Sequence, residues 1–199
     1  MKKILLIISI VFIANLLDAQ SFKKDNNAHR KEQNEKFNDP KESPLTKKDR
    51  TTFKELKYFP LNEDYKVKAK LTVNSNPQLF KMPTSTDRLP VYSTYGEISF
   101  EVNGKQLSLQ VYQNQKLLSV EGYEDYLFIP FADETNGDET YGGGRYLDFR
   151  MHKTEEVFID FNKAYNPYCA YSDRYSCPKV PEANQLTIRI EAGVLNMGN

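Results

Sequence analysis

The dipeptide Asn103-Gly104 sits between two apolar alternations, with Ile98, Phe100 and Val102 leading into it and Leu107, Leu109 and Val111 leading away. Asn-Gly supplies the two positive φ angles that a type I′ turn needs, and the period of two puts one face of each arm into a core. This is a β-hairpin, and the rest of the chain has to supply the surface it packs on. Tyr65, Val67, Ala69 and Leu71 alternate with Lys66, Lys68 and Lys70, which predicts a half-buried strand with a lysine face. A lysine row can attract anions, but a solvated or protected strand accounts for it equally simply. Further strands are predicted over 79–82, 126–131, 146–149, 156–160 and 186–190. The 25 Tyr and Phe residues suit strands better than helices.

About eight short strands with a short N-terminal helical lead predict a mainly β protein, a single β-sandwich or barrel-like domain over 45–199. The lead begins at Thr46, which forms a capping box with Asp49, while Leu45 is placed as a hydrophobic staple. It is expected to run to about Lys57, with Phe53 and Leu56 sharing a face, before Pro60 ends regular structure.

The first 19 residues read as a signal peptide. Lys2 and Lys3 open it, the run from Ile4 to Leu17 is apolar except for Ser9 and Asn15, and Ala19 suits the last position before cleavage. The run is shorter than the roughly 20 residues of a membrane-spanning helix, so an exported protein is expected, periplasmic or secreted, with no stable membrane anchor after cleavage. Residues 20–44 form a polar arm, partly helical or disordered, with a helix conceivable over 29–37. The formal net charge is zero, from 27 basic and 27 acidic residues, which argues against a nucleic-acid binder, since such proteins usually need a basic face. With only His29 and His152, sites built on several imidazoles are excluded, and both are read as surface residues.

The most suggestive segment lies between 127 and 181, where six of the 13 tyrosines fall between Tyr141 and Tyr175. The motif Phe131-x-Asp133-x-Thr135-x-Gly137-x-Glu139-Thr140-Tyr141-Gly142-Gly143-Gly144-Arg145-Tyr146-Leu147-Asp148 is followed by Asp160-Phe161-Asn162-x-Ala164-Tyr165-Asn166-Pro167-x-Cys169-Ala170-Tyr171, then Cys177-Pro178. These residues resemble an uncharacterised prokaryotic family catalogued as domain of unknown function 1684. The resemblance extends from Ser43-Pro44-Leu45 through Phe59-Pro60 to Glu191-Ala192-Gly193. Asn136 stands where the family tends to have Ser, and Val194 where an acid is usual. The resemblance implies no established activity.

Chemically, Gly142, Gly143 and Gly144 expose backbone N–H groups that can cradle an anion, and Arg145 beside them can grip a carboxylate or phosphate. The alternative is a tight turn with Arg145 paired to Asp148 or Asp160. Asp133, Glu134, Asp138 and Glu139 crowd around a glycine turn as calcium ligands do, but their spacing is not that of an EF-hand and a polar hairpin loop is the better reading. Asp148 and Asp160 form a candidate acid–base pair with Tyr141 or Tyr146 as proton donor, although ionised carboxylates that satisfy Arg145 and nearby tyrosine hydroxyls are the better reading. Asn162, Tyr165 and Asn166 either bind a polar ligand or fix an irregular loop. Cys169 and Cys177 are read as a disulfide, a staple of about 2.5 kcal/mol for a loop of this size in an oxidising compartment.

Together these residues predict an exported binding module for a small polar or anionic ligand, anchored by Arg145 between the 133–148 and 162–177 loops. A hydrolase using the Asp pair, or a purely structural protein, are the alternatives. No metal or cofactor is expected.

Overall fold

A computed structural model describes residues 2–197, with side chains described from residue 19 onward. Apart from Ala19, the expected signal peptide lies outside the described side chains. Seven strands form one antiparallel sheet: β1 (Lys66–Val73), β2 (Leu79–Lys81), β3 (Val91–Val102), β4 (Lys105–Asn114), β5 (Tyr126–Phe131), β6 (Arg145–Arg150) and β7 (Glu156–Asp160). Their order is β6-β5-β4-β3-β1-β7, with β2 pairing to β3 off this path. The hairpin turn is as read from Asn103-Gly104, with φ angles of 51° and 75°.

The sheet curls into a half-barrel, and two features show how. The β3–β4 register shifts between Thr94 and Gly96, the signature of a bulge that bends a strand. At Gly96 a Cβ would lie 2.5 Å from the Thr72 carbonyl oxygen, so only glycine lets β1 approach there. The second feature is the connection from β6 to β7. These strands form opposite edges of the six-strand path, and residues 151–155 alone join them. A flat path of six strands would separate its edges by roughly 24 Å, close to the full reach of so short a link. Curling brings the edges together, and Leu147 on β6 and Ile159 on β7 line one cavity.

The concave face carries the main core, including Leu71, Ile98, Leu109, Leu127, Ile129 and Phe131. The segment 186–190 closes this core without joining the sheet. Leu186, Ile188 and Ile190 are buried in alternation, so the period of two is real, but their neighbours are the irregular turn after β5. There the Ala132 N–H donates to the Asn184 carbonyl, the Leu186 N–H to the Ala132 carbonyl and the Glu134 N–H to the Ile188 carbonyl, a single isolated parallel bridge and one further bond instead of a strand of the sheet. Among the described residues seven strands are therefore present, in keeping with the expected mainly β, barrel-like fold of about eight.

The N-terminal part also differs from expectation. The segment read as a polar arm is a docked helix, α1 (Lys2–Asn38). Phe22, Asn26 and Phe37 are buried along one face of it. Asn26 donates to Asp160 Oδ2 at 2.9 Å, Arg30 donates to the Phe59 carbonyl at 2.8 Å, and Lys163 pairs with Asp25 at 2.6 Å. The short helix α2 (Lys47–Thr52) starts as read, with Thr46 accepting from the Asp49 N–H, but ends at Thr52. Phe53 turns out of it to pack on Phe37 at a ring separation of 5.6 Å, and Leu56 is buried in the same cluster. Among the described residues, no helix is long and apolar enough to cross a membrane.

Candidate functional site

The alternation of β6 decides the fate of the predicted anchor. Arg145, Leu147 and Phe149 share the inward face of the strand, whereas Tyr146 and Asp148 point to the other side. Arg145 is fully buried, and both terminal nitrogens of its guanidinium are held by structural partners, whereas Nε has none among the described residues. It pairs with Asp133 at 2.6 Å, donates to the Ile190 carbonyl at 2.8 Å and to the Ala192 carbonyl, and lies over the Phe131 ring. Burial pushes its pKa down while the Asp133 carboxylate opposes the shift. The partner is neither Asp148 nor Asp160, and no face is left to hold a ligand. Arg145 is thus a structural residue rather than the expected anchor.

Several other candidates are also consumed by the fold. Asn162 is fully buried, donating to the Asn62 carbonyl and to Asp160 Oδ1 while its own carbonyl oxygen accepts from the Asn62 N–H. Asn166 donates to the Tyr171 hydroxyl and the Leu195 carbonyl. Asp160 receives Asn162 on one oxygen and Asn26 on the other, so it has no oxygen left for acid–base work. Gly144 has φ +88°, and a Cβ there would meet both Val180 and the Phe131 carbonyl oxygen. The triple glycine makes a turn rather than an anion cradle at its third position. The acidic loop is likewise engaged: Arg189 pairs with Glu139 and, at 3.6 Å, with Asp138.

Asp148 has a different setting. It lies on the convex side of the sheet at the edge of a cavity of about 400 Å³. The sheet supplies Tyr92, Tyr126, Phe128 and Tyr146 to its wall, and the loop after β7 supplies Tyr165, Tyr168 and Tyr175. Antiparallel pairing of β5 with β6 sets Phe128 opposite Asp148. Tyr126 and Tyr165 both donate to Asp148 Oδ1, at 2.7 and 2.6 Å. Among the described residues no hydrogen bond reaches the second oxygen, Oδ2, and the side chain is solvent-exposed. Burial, reinforced by the carboxylate, pushes both phenols far above their usual range, so they stay protonated and keep donating. Tyr146 is a wall residue, and its hydroxyl donates to the Pro178 carbonyl rather than to a substrate-facing position.

Two cavities adjoin this one. The first, of about 480 Å³, is lined by Asp148, Asp160 and Tyr165 and roofed by His29, Glu32, Gln33 and Lys36 of α1. His29 is therefore half-buried rather than a surface residue, and burial lowers its pKa, assisted by Lys163 and opposed by Glu32 and Asp148. The second, of about 350 Å³, is where the two predicted loops meet, joining Tyr141, Gly142 and Gly143 to Cys169 and Cys177. The expected disulfide is not formed: both thiols are free. The Cys169 N–H donates to Cys177 Sγ at 3.1 Å, and a thiol–thiol hydrogen bond lowers the Cys169 pKa while raising that of Cys177. The Tyr141 hydroxyl lies 3.9 Å from Cys169 Sγ.

Sequence reasoning thus found Asp148, Tyr146 and Tyr165 but missed Tyr126, Phe128, Tyr92 and the helical Gln33 and Lys36. The signal for Tyr126 and Phe128 was present in the alternation of 126–131, once β5 is paired with β6. The roof residues on α1 left no comparable signal.

Two outcomes follow from these contacts. Arg145→Met leaves Asp133 buried without its counter-charge and should lower unfolding free energy in urea by about 3–5 kcal/mol; adding Asp133→Asn should restore part of it. The burial of His29 predicts a pH effect. A folded-state pKa below the ordinary 6.5 means the unfolded chain binds the proton more tightly, so docking of α1 is unpenalised above that value and weakens as pH falls below it. Protection factors for amide exchange over residues 22–37, corrected for the intrinsic pH dependence of exchange, should fall between pH 7.5 and pH 5.5, and His29→Gln should abolish that fall.

The fold and the site have relatives. The solution NMR structure of an uncharacterised protein from locus rrnAC0354 of Haloarcula marismortui superposes with a TM-score of 0.71 and 33% identity, over 92% of this chain and 98% of that one. No functionally curated protein matches the chain. A family model described as "Protein of unknown function (DUF1684)" matches residues 51–195, which span every strand of the sheet and all the sheet and loop walls of the tyrosine-lined cavity. The chain belongs to the DUF1684 family.

Proposed function

We propose that the protein is an exported binding module that holds a small polar ligand in the tyrosine-walled cavity, with Asp148 as its anchor. One observation carries this reading. Two phenols converge on a single oxygen of Asp148 and fix the carboxylate, which lines the cavity and whose second oxygen receives no hydrogen bond among the described residues. A preorganised polar group among aromatic walls is the usual composition of a small-molecule site. With a carboxylate in place of Arg145, an anionic ligand is disfavoured, and the ligand class narrows to neutral or positively charged polar molecules. The hydrolase alternative loses support because Asp160 is fully engaged.

NMR screening of a fragment panel against protein labelled at tyrosine should give saturable shifts at Tyr126, Tyr146 and Tyr165. Asp148→Asn should weaken binding by about tenfold or more, the loss expected when a hydrogen bond to a charged group becomes neutral. Saturable binding unaffected by that change would remove Asp148 as the anchor.

Export is supported by the Lys2-Lys3 start and the apolar run that follows it. Cleavage after Ala19 would retain the docking face of α1 from Phe22 onward. In an oxidising compartment the adjacent thiols of Cys169 and Cys177 would close into a disulfide. Mass spectrometry of the protein from its native host should find an N-terminus at Gln20 and a Cys169–Cys177 link. An N-terminus at Met1 with both thiols alkylated would overturn both parts.

A further inference from the structure

Resting on the tyrosine-walled cavity as the binding site, we infer that its ligand is a small organic cation, an alkylammonium or methylated ammonium group enclosed by the ring faces and paired with Asp148. A polyhydroxylated ligand such as a sugar would need free donors and acceptors along the wall, and most of those groups are already engaged. The hydroxyls of Tyr126 and Tyr165 donate to Asp148 and that of Tyr146 to Pro178. Tyr92 is hydrogen-bonded to Asn114, and Arg174 donates to the Tyr175 hydroxyl. Ser176 at the rim is bonded to Thr84, Thr86 and Arg88. What the wall still offers is mostly the faces of its rings, and the negative face of an aromatic ring attracts a cation that needs no hydrogen bond.

The charge balance points the same way. Lys36 and Asp148 are the charged side chains of the lining. Lys36 is already compensated by Glu32 on the same helix, at 3.0 Å, which leaves the Asp148 charge to be matched from outside. The rings at the margin already hold one cation. The Arg150 guanidinium lies 5.7 Å from the centroids of both Tyr123 and Tyr126, and Asp125 neutralises it. Rings meeting edge to face, such as Phe128 with Tyr146 at 4.7 Å and Tyr146 with Tyr165 at 5.8 Å, form the corner geometry that wraps a compact, roughly spherical group.

The test uses the full-length folded protein and four probes followed by NMR and calorimetry: choline, its uncharged carbon isostere 3,3-dimethylbutan-1-ol, glucose and acetate. Choline should bind saturably with shifts at Tyr126, Tyr146 and Tyr165, and the isostere should bind at least about tenfold more weakly, the discrimination expected of a charge-dependent site. Asp148→Asn should erase that preference. Backbone amide shifts of Asp148→Asn that stay unchanged away from the cavity would separate this loss of recognition from any folding defect. Equal affinity for choline and the isostere, or preferential binding of glucose or acetate at the same tyrosines, would overturn the cation assignment while leaving the cavity as the binding site. Absence of saturable binding by all four probes, together with a fragment panel that finds no ligand at these tyrosines, would overturn the site itself and this assignment with it.

Discussion

The ion pair between Arg145 and Asp133 ties together the parts of this molecule that regular secondary structure leaves loose. Asp133 sits in the turn that leaves β5, Arg145 opens β6, and the carbonyls of Ile190 and Ala192 belong to the irregular C-terminal segment. Asp133 completes the arrangement by accepting from the Thr135 and Ile190 N–H groups. A buried ion pair of this kind is not by itself a large net source of stability, because both charges are stripped of water. Its effect is geometric. It offers the orphaned carbonyls of a non-ladder segment a donor, so that Ile188, Ile190 and Ala192 can close the core without pairing as a strand.

With that side closed, the opposite face of the same strand is available for something else. Period two in β6 sends Arg145, Leu147 and Phe149 inward and Tyr146 and Asp148 outward, so five consecutive residues serve structure and site by turns. The curl of the sheet then matters, because it brings the loop after β7 over the outward face of β6. An isolated bridge between Tyr146 and Tyr165, hydrogen-bonded in both directions, joins the two. The aromatic cavity is therefore a seam between the two edges of a nearly closed sheet, and its walls come from residues far apart in the chain.

The strands at 126–131 and 156–160, the Asn-Gly hairpin and the capping box at Thr46 were all legible in the sequence, since each rests on a short-range period or a turn whose chemistry is local. The inward position of Arg145 was legible too, because it shares parity with Leu147 and Phe149; the neighbouring glycines drew attention to an anion cradle instead. The docking of α1 was not legible. Its buried face is mixed, Phe22, Asn26 and Phe37, and the polar member is satisfied by Asp160, a partner no local pattern announces. The same limit hid the roof of the cavities and the convergence of two tyrosines on one carboxylate oxygen, which depend on how distant segments meet.

The docking of α1 also has a temporal consequence. The contact between Asn26 and Asp160 joins residues 134 positions apart, and that between Lys163 and Asp25 joins residues 138 apart. The docking face of α1, although it leaves the ribosome early, therefore has no docking partner until β7 and the turn beyond it have been made. The helix is among the last parts to be secured although it is among the first to be synthesised, and the cavities it roofs stay open until the chain is nearly complete.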